Sequence, residues 1–200
     1  MLFEGPGGVG DLANTILHES VHATLYVAGQ SEFNEGLATF IGDELAPRWL
    51  AERFGDGSLE LAAYEQDEAR AKELRRGLAA VYQEVLALYR SKRSRVEKLT
   101  EKRRIMREAE SRLELSRPLN NARLSAYDAY NGPEQHFSDL FVSCGRSIPK
   151  MIAACRGLSS ADFGADQQSD LAPVLRLAAK RCEEPATGST DVRAPGSRRP

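Results

Sequence analysis

From Ser58 to about Leu115 the chain is almost free of helix breakers, and this stretch limits the possible folds more than any other. Leu59, Ala62, Ala63, Leu74, Leu78, Val81, Tyr82, Val85, Leu88 and Tyr89 recur at helical spacing among acids and bases. Such a stripe marks helix with one covered face. The pattern weakens from Ser91 to Ser94, so residues 58–116 read as a long antiparallel helical hairpin, with one uninterrupted helix as the lesser option. Arg117-Pro118 closes the region, because proline disfavours helix in the residue before it. Charged residues at 28% and aromatics at 7% suit solvated helices better than a β-sandwich.

The remainder reads the same way, giving a mainly α protein with one domain over residues 11–182. At 200 residues and 42% hydrophobic content the chain supports one ordinary core rather than two. Gly5 to Gly10 reads as a flexible lead-in, residues 1–10, without the Gly-Lys-Ser/Thr ending of a phosphate loop. Asp11 is placed to cap a helix running to about Gly29. Leu12, Ile16, Leu17, Val21, Leu25 and Tyr26 form its expected buried face. A second helix is expected from Asn34, kinked or restarted at Pro47. Further helices are expected near 120–130, 133–145, 149–156 and 170–182, and a disordered tail over 183–200.

A net charge of −2 provides no global attraction for nucleic acid or an acidic membrane. No run approaches the ~18 apolar residues of a membrane span, and the N-terminus lacks the pattern of a signal peptide. Three cysteines are too few for a disulfide framework, although Cys144 could pair with Cys155 or Cys182.

The chemistry concentrates at His18-Glu19-Ser20-Val21-His22. Residues four apart share a helix face, so two imidazoles can converge on one ion, and zinc accepts neutral histidine nitrogens. Glu19 lies about 100° around the helix from His18, where its carboxylate can take a proton from zinc-activated water. Two of the chain's three histidines fall within this window.

A catalytic zinc takes a third protein ligand and keeps an open position. Glu35, in Phe33-Asn34-Glu35-Gly36-Leu37-Ala38, is the best candidate. From His22 to Gly29 a helix climbs about 10 Å, and four extended connector residues return about 13 Å. Gly36 and Ala38 are small enough to let the two helices approach at that level. Glu32, Asp43, Glu44 and the distant His136 are weaker candidates. Asp43 or Thr39 could instead orient a ligand histidine through its other ring nitrogen.

The pair of blocks, His-Glu-x-x-His followed by Asn-Glu-x-x-Ala, resembles the gluzincin metallopeptidases. The longer run from Asp11 to Leu50 resembles a bacterial family of predicted aminopeptidases, as does Pro118 to Leu124 followed by Tyr127 and Tyr130. The resemblance spans about residues 10–155. It implies a zinc-dependent peptidase holding one Zn2+ on His18, His22 and Glu35, with Glu19 as base and a peptide as substrate. It also implies a segment before the metal helix, often opening on an export or lipoprotein signal, and the expectation is of a shortened form that starts almost at that helix. Full-length relatives would then occupy the bacterial cell envelope or periplasm. The alternative reading is a shortened, weakly active or inactive relative serving as a metal-stabilised helical scaffold.

Tyr127 and Tyr130 are candidates for oxyanion stabilisation, and Asn34 for substrate contact, with packing and capping as their plainer roles. The basic stretch from Arg90 to Arg107 is interleaved with Glu97, Glu101, Glu108 and Glu110, as a solvated hairpin face would be, and nucleic acid is not expected as a partner.

Overall fold

A computed structural model describes residues 6–125 and 133–183, all helix and connecting turns, with no strand among them. The mainly α fold is as the sequence predicts. Eight α-helices follow in order: α1 Pro6–Thr24, α2 Ser31–Phe54, α3 Leu59–Arg90, α4 Arg95–Arg112, α5 Asn121–Ser125, α6 Pro133–Ser143, α7 Ile148–Arg156 and α8 Ala172–Glu183. Tyr127, Tyr130 and the tail beyond Glu183 lie outside the described residues.

The hairpin is there. Ser58 caps α3 by accepting from the Leu61 N–H, and Ser94 and Glu97 form a reciprocal capping box at the start of α4. Its own core joins Leu78, Val81, Val85 and Leu88 to Ile105, Met106 and Ala109. Leu59 and Tyr89, expected on the covered stripe, are exposed. Asn120 accepts from the Arg123 N–H and starts α5 after Pro118.

The first helix departs from expectation. It begins at Pro6, so residues 6–10 are helical, and Asp11 sits inside the helix rather than capping it. The glycines serve close packing: a Cβ at Gly10 would stand 2.5 Å from the Tyr64 ring of α3. The helix also stops at Thr24, and Gly29 turns in the connector with φ +77°. Val21 and Leu25 are buried, but Leu12, Ile16 and Tyr26 face outward, Tyr26 with 65% of its surface exposed. Helical spacing identified apolar positions on both sides of α1, and only one side is covered.

Helix α2 opens at Ser31 and continues unbroken through Pro47. Asn34 is therefore inside the helix. Its buried side chain accepts from the Val27 N–H at 2.9 Å and donates to the Val27 carbonyl at 2.8 Å. Both amide groups are consumed in clamping the α1–α2 connector, which removes Asn34 as a substrate contact or helix cap. Asn34→Ala leaves the Val27 N–H buried without this acceptor, while the carbonyl keeps a bond from Gln30. The expected cost is about 1–3 kcal/mol, read as a lower urea midpoint at unchanged slope.

The main core lies where α2 meets α6, α7 and α8, around Phe33, Leu37, Phe137, Leu140 and Met151. A disulfide joins Cys144, just past α6, to Cys182 of α8. This settles the open pairing, and Cys155 remains a buried thiol whose burial pushes its pKa up to about 12.

Candidate metal centre

Antiparallel packing of α1 on α2 sets two polar stripes face to face. Asn14, His18 and His22 are spaced by four on α1; Glu35, Thr39 and Asp43 are spaced by four on α2. At one end the His18 and His22 Nε2 atoms stand 3.1 Å apart. The two Glu35 carboxylate oxygens lie 3.3 Å from His18 Nε2 and 3.4 Å from His22 Nε2. Four donors around zinc at about 2.0–2.1 Å are separated by about 3.3–3.4 Å in a tetrahedron. Each imidazole nitrogen has one Glu35 oxygen at about that separation, and one donor atom from each of the three side chains lies within 4.8 Å of the others, near enough to gather on one ion. Both histidines are about one-fifth exposed and Glu35 is 63% exposed, which leaves an approach from one side.

Glu19 is exposed and stands outside this donor set. Among the described residues, no partner reaches the buried Nδ1 of His22. Asp43, expected as an orienting group, is committed elsewhere. Asn14 donates to Asp43 at 2.8 Å and to the Tyr64 hydroxyl at 2.7 Å, tying α1, α2 and α3 together one turn below His18. Burial pushes the Tyr64 phenol up to about 12, so it stays neutral in this network. Gly42 makes room for Asn14, since a Cβ there would lie 2.5 Å from its Oδ1. Asn14 was legible as the next position on the histidine stripe, but its partners were not.

The other candidate ligands are elsewhere. Glu44 pairs with Arg48 at 2.8 Å, and neither Glu32 nor His136 joins the donor set. Gly36 was expected to admit α1, but its missing Cβ admits Phe137 of α6 instead; a Cβ there would stand 2.5 Å from Phe137 Cε2. The connector is held from the far end of the chain: Gln30 donates to the Ala165 carbonyl and accepts from the Gln168 N–H. Beside Glu35 a cleft of about 500 Å³ opens between α2 and α3, bounded by Thr39, Asp43, Glu68, Lys72 and Arg75. Burial, then the nearby Asp43 charge, raises the Glu68 carboxyl above its ordinary range.

Fold and site together define a helical protein whose first two helices present a three-donor centre able to hold a metal ion, next to an open cleft. The chain belongs to the putative aminopeptidase family, whose model matches residues 7–169. No curated protein sequence and no solved structure matches the chain.

Proposed function

We propose that this chain is a zinc-dependent aminopeptidase that binds one Zn2+ through His18, His22 and Glu35. The convergence of these three donors, two histidine nitrogens and a carboxylate within 4.8 Å of one another, carries the reading. Membership of the family supports the choice of peptides as substrate. Zinc, when bound, supplies Lewis acidity: it polarises a carbonyl and makes water acidic enough to react near neutral pH.

The chain's own groups do the rest. Glu19, one residue beyond His18 on the exposed side, accepts the proton of the attacking water at its carboxylate. It then returns that proton to the departing amine nitrogen. The cleft beside Glu35 has the volume to seat part of a peptide. Asn14, Asp43 and Tyr64 hold the three helices in register beneath the donors.

The test combines metal analysis with turnover. The purified chain should retain about one zinc per molecule and hydrolyse aminoacyl reporters while leaving N-blocked ones intact. A chelator should abolish turnover and added zinc should restore it. Zinc retention without turnover on any free-amino substrate would favour the metal-stabilised scaffold. Failure to hold zinc would defeat both readings.

A further inference from the structure

We propose that the tip of the α3–α4 hairpin docks onto an anionic lipid bilayer. Charge is segregated there: Arg90 to Arg104 contains eight cations against two acids, a net of +6 in a chain whose total is −2. The two acids are already engaged. Glu97 closes the capping box with Ser94, and Glu101 pairs with Arg104 at 2.8 Å and with Arg93 at 3.8 Å. Arg90, Lys92 and Arg95 are exposed and make no ion pair among the described residues. Their charge is available to a partner.

Apolar groups project from the same tip. Val96 is 73% exposed, Leu99, one turn further along α4, is 40% exposed, and Tyr89 at the end of α3 is 45% exposed. Lys98 Nζ donates to the Tyr89 carbonyl across the turn, tying the end of α3 to the start of α4. Cations ringing protruding aliphatic and aromatic side chains match a headgroup layer, where phosphates meet the cations and the apolar tips enter the acyl boundary. A nucleic-acid backbone would satisfy the cations but offer nothing to Val96 and Leu99. The bilayer is therefore the better fit.

The geometry separates this surface from the metal centre. Glu68, which bounds the cleft, and Arg90 lie on one helix, about 33 Å apart at 1.5 Å per residue. Docking would hold the centre clear of the membrane with its cleft open.

The full chain is tested by co-sedimentation with phosphatidylcholine vesicles, with and without about a third phosphatidylglycerol, at about 0.1 M salt. Binding is expected only to the anionic vesicles, weakening as salt rises. R90Q, K92Q and R95Q combined should weaken it at least about tenfold, since each cation near such a surface contributes roughly fivefold. V96S with L99S should weaken it several-fold at unchanged salt dependence. Circular dichroism and zinc content should be unchanged in both variants, whose sites lie outside the metal machinery. Absent or charge-independent vesicle binding, insensitivity to the triple substitution, or displacement of vesicles by duplex DNA at equal charge would overturn the proposal. Because neither Glu19 nor the donors enter, it stands or falls apart from the peptidase reading.

Discussion

Glu19→Gln is expected to keep its zinc and lose about 10²–10⁴-fold in kcat/KM, the usual contribution of a positioned general base. The amide preserves size and position but cannot take a proton. Glu19 lies outside the cluster of His18, His22 and Glu35, so metal content should not follow activity. Atomic emission on the purified variant and turnover of an aminoacyl reporter give the two quantities separately. Unchanged turnover would remove Glu19 from the mechanism. Loss of zinc together with activity would instead show that it serves the metal.

The largest stability effect is expected at Phe137, far from the donors in sequence. Its ring is fully buried, 5.9 Å from the Phe33 ring and 6.3 Å from that of Phe40, and it occupies the space left by Gly36. Phe137→Ala should cost about 3–5 kcal/mol, combining lost burial with the cavity left behind. In a chain of this size that corresponds to a fall in Tm of roughly 6–20 °C. Gly36 neighbours Glu35, so the same cavity loosens the turn that presents the third donor. Zinc affinity should weaken alongside Tm. A Tm change below about 3 °C would mean that the contact between α6 and α2 is not the support described.

The local features were legible because they obey helical periodicity. His18 and His22 share a face at a spacing of four, and a short connector returns the next helix to their level, so Glu35 was legible even though the helix bounds assumed for it, Gly29 and Asn34, are Thr24 and Ser31 in the structure. The hairpin followed from an absence of breakers, and its turn from a run of serines and bases.

Tertiary context overruled the rest. Gly10 read locally as a breaker, yet it sits against the Tyr64 side chain of α3 where a Cβ would collide, so glycine is favoured by contact and tolerated by the helix. Leu12 and Ile16 matched the apolar spacing of α1, but spacing cannot tell which of two apolar sides acquires a neighbour, and Tyr26 lies past the helix end at Thr24. Asn34 looked like a cap and is a buried clamp, a role that depends on how the connector folds back. The Gln30–Ala165 bond spans 135 positions, and no local pattern in one sequence encodes such a pairing.

The α1–α2 connection has a further consequence, for the order in which the molecule assembles. His18 and Glu35 lie on neighbouring helices, so only one short loop must close to bring the donors together, at modest entropic cost. The Cys144–Cys182 bridge spans 38 positions, and the Gln30 contacts wait for the far end of the chain. A nascent chain would have its donor set assembled once the first helical pair had formed. A metal captured then would act as an early staple, biasing later packing toward the native register of these two helices.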